Sequence, residues 1–168
     1  MKNIEFKAEL RDLELAKAIA MNVGAKRAAV LLQTDEYVRV PEGRLKRRVE
    51  RNDSAGAVRE LWIWYDRPDR TGPRASRWTS LDDRQVEVRW PGLDRTVARL
   101  VIKRREVWSV ENIRIHLDAV AGLGNYLELH GIVDHTADPG ETRLKVTTLM
   151  EQFRPALGEP VSGSYSEL

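Results

Sequence analysis

The sequence predicts an α+β fold, a closed antiparallel β-barrel with covering helices, and three observations carry that expectation. Segment after segment alternates apolar with polar residues, short turn signals separate the segments, and the polar sides repeat one charged chemistry. At 168 residues the chain suits one domain spanning 1–168, large enough to bury well over half of its unfolded surface around one core.

The elements follow in order. Residues 3–10 alternate strictly, with Ile4, Phe6, Ala8 and Leu10 on one side and Glu5, Lys7 and Glu9 on the other, which is a strand pattern. Asp12 is placed to cap a helix carrying Leu13, Ala16, Ile19, Ala20 and Val23 at helical spacing, and Gly24 stops it. Strands are predicted at 29–40, 44–50, 59–66, 98–108, 112–118 and 125–133. Between them stand turn signals at Pro41-Glu42-Gly43, Asn52–Gly56 and Leu123-Gly124-Asn125. Consecutive strands on short turns imply an antiparallel meander, and closing such a sheet removes its exposed edges. Within 67–97 the signals conflict. Asp82-Asp83 reads as a helix start, yet Val86, Val88 and Trp90 alternate as in a strand before Pro91 interrupts. A second helix is predicted over 139–154, ended by Pro155, and the final residues 164–168 are too few to classify.

Composition narrows the chemistry. Without cysteine, disulfides, thiolate metal sites and a thiol nucleophile are excluded, so any metal must be bound by oxygen or imidazole. The formal charge is +2, from 28 basic and 26 acidic residues, which argues against nucleic acid as a partner. No stretch approaches the ~20 apolar residues of a membrane span, and the start lacks a signal peptide's apolar run. A cytoplasmic protein is the expectation.

Side chains two apart on a strand share a face, so each strand can be asked what it presents. Lys7, Arg44, Lys46, Arg48, Lys103, Arg105 and Arg114 fall on the polar faces, together with Glu5, Glu9, Asp118, Glu128, His116 and His130. An ordinary half-buried sheet also shows water one polar face. Here, however, like charges on neighbouring strands would repel without an anion, and the opposite faces (Ile113, Ile115, Leu117; Leu127, Leu129) are apolar enough to be covered by helices. A polyanion in an enclosed basic groove satisfies both, and triphosphate is the natural one. Arginine forks and lysine charges hold phosphate oxygens, while a few carboxylates among them either carry Mg²⁺ or Mn²⁺ or form salt bridges to the cations. Arg70, Arg74 and Lys145 are expected outside the groove.

The start Asn3-Ile4-Glu5-Phe6-Lys7 resembles the N-terminal signature of CYTH proteins, in the Asn-x-Glu-x-Lys form of the branch similar to class IV adenylate cyclases. Gln33–Tyr37, Gly43–Arg48, Lys103–Trp108, Asn112–Asp118, Gly122–Glu128 and Ser164-Tyr165 resemble further blocks of that family, in its order and over nearly the whole chain. The resemblance implies a tunnel of about eight strands. It implies a metal, Mg²⁺ or Mn²⁺, on Glu5 and Glu128, and triphosphate on Lys7, Arg44, Lys46, Arg48, Lys103 and Arg105, to which the strand-face pattern adds Arg114 as a candidate. Lys7, Asp118 and His130 are the candidate catalytic residues, with Asp118 near the reacting or metal-bound end. The implied partner is a nucleotide or other organic triphosphate, converted to a cyclic nucleotide and pyrophosphate or hydrolysed; a binding module without catalysis is the rival, and a homodimer is left open. Two positions depart from the family pattern. Asn3 stands where many members have a metal-binding Glu, and His130 where many have the last Glu of a closing Glu-x-Glu. His130 could ligate a transition metal, act as a base or fill a strand position. Trp62, Trp64 and Tyr65 form an aromatic strand, read as packing.

Overall fold

A computed structural model describes residues 1–168. Its strands are β1 (Lys2–Leu10), β2 (Lys26–Val38), β3 (Arg44–Asn52), β4 (Val58–Asp66), β5 (Arg74–Leu81), β6 (Arg99–Val110), β7 (Ile113–Val120), β8 (Gly124–Val133) and β9 (Leu157–Pro160). They form one sheet in the order β5-β4-β3-β2-β6-β7-β8-β1-β9, every pairing antiparallel, and β5 also pairs β1, which closes an eight-stranded barrel. Along its length β1 changes partner. Lys2–Glu5 lie against Arg74–Arg77 of β5, whereas Ala8 and Leu10 lie against Pro160 and Leu157 of β9, which covers the edge that β5 leaves free.

Alternation sorts the two faces. Ile4, Phe6, Ala8 and Leu10 of β1, Ile113, Ile115 and Leu117 of β7 and Leu127 and Leu129 of β8 point outward, where two helices cover them. These are α1 (Leu13–Asn22), which supplies Ala16 and Ala20, and α3 (Pro139–Phe153), which supplies Val146, Leu149 and Phe153. Asp12 caps α1 by accepting from Leu15 N–H at 2.9 Å, as its position predicts. Helix α3 sits close on the sheet because β8 has a glycine under it. A Cβ on Gly131 would lie 2.9 Å from Val146 Cγ2 and closer still to Thr142 Cγ2. Gly43 is required for another reason: its φ is +72°, and a Cβ there would meet Trp64 Nε1 at 2.7 Å.

The conflicting segment resolves into strand, then helix. β5 mixes polar and apolar residues on both faces, with Arg74, Ser76 and Trp78 inward and Ala75, Arg77 and Thr79 on the other side, so it carries no hydrophobic alternation to read. Helix α2 (Asp83–Arg89) starts at a capping box, in which Asp82 accepts from Gln85 N–H (2.7 Å) and Gln85 accepts from Asp82 N–H (2.8 Å). Of the three residues that looked strand-like, Val86 is buried against Trp62 and Leu45 while Val88 is exposed. Arg74 corrects the sequence reading: expected outside, it is 2% exposed and faces the barrel interior, because β5 completes the barrel wall. No helix is long and apolar enough to cross a membrane.

Candidate active site

The inward rows enclose a cavity of about 500 Å³. Eight cations line it, Lys7, Lys46, Arg48, Arg67, Arg74, Lys103, Arg105 and Arg114, against two carboxylates, Glu5 and Glu128. Asp35 and Asp118 are buried behind them. Eight cations and four carboxylates leave a net excess of four positive charges inside a nearly neutral protein.

Carboxylates hold those cations in place. Asp35, fully buried on β2, accepts from Arg48 Nε (2.6 Å) and Nη2 (2.7 Å), Lys46 Nζ (2.9 Å) and Lys103 Nζ (2.8 Å). Burial raises the Asp35 pKa, but Lys46, Lys103 and Arg48 outweigh burial and hold it well below the usual carboxylate range. Asp118 is occupied likewise. It receives Arg105 Nε (2.7 Å), Arg105 Nη2 (2.6 Å) and the Tyr165 hydroxyl (2.7 Å), so it stands behind Arg105 and does not line the cavity. Glu128 meets Lys7 at 3.1 Å, Arg105 at 2.9 Å and His130 Nε2 at 2.9 Å; burial raises its pKa, and Lys7 and Arg105 overcome that and lower it well below the ordinary value. Arg114 lines the cavity without an ion pair.

One carboxylate cannot neutralise three buried cations, and Lys103 yields. Burial pushes its pKa down to about 7, Asp35 opposes this, and Arg48, Lys46 and Arg105 add to it. The folded value lies below the unfolded 10.5, so protonation of Lys103 opposes folding, and its contribution to stability grows as pH rises from about 7 towards 10.5. A polyanion bound beside Lys103 would restore the proton. Calorimetric titration of a polyphosphate at pH 8, in buffers of different ionisation enthalpy, should therefore show proton uptake that is absent from Lys103→Arg; identical proton balances in the two proteins would refute the assignment.

The C-terminal residues close one side of the site. Tyr165 packs under Lys7, whose Nζ stands 3.8 Å from the ring centre, and Ser164 hydrogen-bonds Tyr65 and Tyr37. Arg67 donates to the carbonyls of Ser162 (2.9 Å) and Gly163 (3.1 Å), and Arg74 to Val161 (3.1 Å). Where β1, β5 and β8 meet, the lining becomes apolar: Met1, Trp78 and Ile132 gather round Asn3, whose side-chain amide accepts from Trp78 Nε1 (3.1 Å) and donates to the Lys2 carbonyl (2.9 Å).

Of the residues singled out from sequence, Glu5, Lys7, Lys46, Arg48, Lys103, Arg105, Arg114, Glu128 and His130 line one cavity. Arg44 does not join them. Glu167 and Asp69 hold its guanidinium at 2.8 and 2.9 Å, outside the lining. Glu9 also stays out, in hydrogen-bonding distance of Glu159 N–H. Arg67, Arg74, Asp35, Tyr37 and Tyr65 were missed, although Gln33, Asp35 and Tyr37 alternate on β2 and Asp35 and Tyr37 pair in register with Arg48 and Lys46. That alternation was the available signal.

The donor set fits a divalent cation. Ligand atoms of His116, Glu128 and His130 lie within 4.8 Å of one another, and Glu5 Oε1 is 3.6 Å from His130 Nδ1. His116 is neutral at ordinary pH, because burial and then Arg105 push its pKa down to about 3, and its buried Nδ1 has no hydrogen-bond partner.

The CYTH domain profile matches residues 1–165. The chain belongs to the CYTH domain family. Among solved structures the CYTH chain is similar to the PH1012 protein of Pyrococcus horikoshii OT3 (20% identity, 99% of this chain and 98% of that one covered, TM-score 0.72). It is also similar to a candidate adenylate cyclase of Vibrio parahaemolyticus (18%, 98% and 95%, TM-score 0.65) and to an RNA triphosphatase of Schizosaccharomyces pombe (13%, 97% and 87%, TM-score 0.53). At these identities the likeness is one of fold. No curated protein sequence matches the chain.

Proposed function

We propose that the protein is a metal-dependent enzyme acting on an organic triphosphate, either cyclising a nucleotide with release of pyrophosphate or hydrolysing the triphosphate. The observation that carries this reading is the enclosed net charge of four, on the order of the ~4 negative charges of an ionised triphosphate ester, beside a group of oxygen and imidazole donors. Membership of the CYTH family and the fold shared with a candidate adenylate cyclase and an RNA triphosphatase support the same substrate class.

In this reading Lys46, Arg48 and Lys103 exchange Asp35 for phosphate oxygens, and Lys7, Arg67, Arg74, Arg105 and Arg114 complete the cradle. Asp118 keeps the Arg105 fork aimed into the cavity and is a positioning residue. The organic group lies at the apolar end by Trp78 and Ile132. Glu5, Glu128 and His130 would hold Mg²⁺ or Mn²⁺, which when bound neutralises phosphate charge and orients the reacting oxygens. His130 alternatively accepts the proton of the attacking hydroxyl or water. The 3′-hydroxyl of a bound nucleotide as attacker gives the cyclase, and the Asn3-x-Glu5-x-Lys7 start favours that branch.

Product analysis with ATP, thiamine triphosphate and tripolyphosphate, each with Mg²⁺ and with Mn²⁺, tests the proposal. Turnover of at least one supports it, and binding without product would make the chain a polyphosphate-binding module. A binding series then separates the cradle from general surface charge. At pH 6.5, Lys46→Met, Arg48→Met, Lys103→Met and Arg74→Met should each weaken tripolyphosphate about ten- to a hundredfold, since a charge-assisted hydrogen bond contributes roughly 1.5–3 kcal/mol. Exposed Arg70 and Lys145 should matter little when replaced by alanine. Equal losses in both sets would reduce the site to diffuse electrostatics.

A further inference from the structure

We infer that the metal position is a mixed imidazole–carboxylate site, built by His116 and His130 with Glu128 and Glu5, that selects a later first-row transition ion such as Co²⁺ or Zn²⁺ over Mg²⁺. The inference deepens the triphosphate reading and rests on it for the site's purpose. Strand register brings the four residues together: Glu5 pairs with His130 across β1 and β8, and His116 with Glu128 across β7 and β8, all four facing the cavity. The two imidazole rings stand 4.6 Å apart, tilted by 38°. Glu128 Oε2 is 2.9 Å from His130 Nε2 and 3.7 Å from His116 Nδ1.

Two observations ask for an ion with nitrogen affinity. The buried Nδ1 of His116 has no hydrogen-bond partner, an arrangement that costs about 1–3 kcal/mol unless something else is bound there. Glu128 already receives Lys7 and Arg105, so it has little capacity left to supply several oxygens to a hard cation. Mg²⁺ asks for six oxygens in a nearly ideal octahedron, whereas imidazole with carboxylate suits the later first-row ions. Asn3, a neutral amide engaged with Trp78, adds no carboxylate.

Metal binding to the untagged protein without any triphosphate tests this. Cobalt(II) should develop the intense visible absorption of a four- or five-coordinate protein-bound ion, and competition should rank Zn²⁺ and Co²⁺ at least about a hundredfold above Mg²⁺ in affinity. His116→Gln and His130→Gln should each abolish most of that preference while circular dichroism and metal-free tripolyphosphate binding stay unchanged; exposed His135 is retained as the control for adventitious binding. Mg²⁺ binding as tightly as Co²⁺, or a cobalt spectrum indifferent to both substitutions, would overturn the inference. Because the polyphosphate measurement is made separately, loss of the metal preference with polyphosphate still bound leaves the triphosphate reading standing, and loss of polyphosphate binding alone counts against that reading.

Discussion

Replacing Asp35 by asparagine should destabilise the empty protein by about 3–5 kcal/mol and make it depend on polyphosphate to stay folded. The carboxylate is fully buried and is the shared counter-ion of Lys46, Arg48 and Lys103, so its loss leaves three cations facing one another and Arg105 in a cavity of low polarity. Release of the Lys103 proton relieves part of that repulsion, which keeps the loss finite. The Asp35 pKa is depressed in the fold below its unfolded 3.8, so its stabilisation is present above about pH 4 and is lost as pH falls through the depressed value. In the variant the freed cations should bind tripolyphosphate more tightly than the unmodified chain does, so millimolar tripolyphosphate should raise its melting temperature by more. Thermal denaturation of both proteins with and without the ligand decides this. A variant as stable as the parent, with the same ligand-induced shift, would mean that Asp35 does not hold these cations.

The contrast between what could and could not be read from the sequence has one physical source. Where a strand has an apolar outer face, as in β1, β7 and β8, period-two alternation gives both its existence and its inward row, and Glu5, Lys7, Arg114, Glu128 and His130 are found in the cavity as the alternation predicts. β5 has no such face. Arg74, Ser76 and Trp78 share no chemistry that marks a face until β1 and β4 are paired beside them, and so the wall that closes the barrel has no signal in the sequence. For helix α2 the spacing of Val86 and Val88 conflicts with the helix start at Asp82-Asp83, and the capping box of Asp82 and Gln85 is the stronger local signal. Among site residues the cations were legible because the excess on one face is unusual. The roles of their partners were not, since Asp35, between Thr34 and Glu36, and Asp118, between Leu117 and Ala119, give no hint in sequence of whether they meet a metal or a guanidinium; that depends on which strand lies alongside. Arg44 is the converse case, in line with Lys46 and Arg48 yet diverted to Asp69 and Glu167, residues far from it in sequence.

The two carboxylates expected to hold the metal should separate when each is made neutral. Glu5 has loose neighbours, Arg67 at 3.4 Å and His130 at 3.6 Å, and no donor depends on it alone. Glu5→Gln should therefore keep the fold and the melting temperature while turnover of whichever triphosphate proves to be the substrate falls about a thousandfold, roughly 4 kcal/mol of barrier. Glu128 is bound into the network, with Lys7, Arg105 and His130 all on its oxygens. Glu128→Gln should abolish turnover too, and in addition lower stability by about 3–5 kcal/mol, because Lys7 is left buried without a counter-ion and Arg105 keeps only Asp118. A charge that serves only as a salt-bridge partner would give the opposite ranking for Glu5, with little change in turnover. Initial rates and melting temperatures of both variants, each at low and saturating metal, make the distinction: full turnover in Glu5→Gln would assign Glu5 to the wall of the barrel alone, and an undiminished melting temperature in Glu128→Gln would show that Lys7 and Arg105 do not need it.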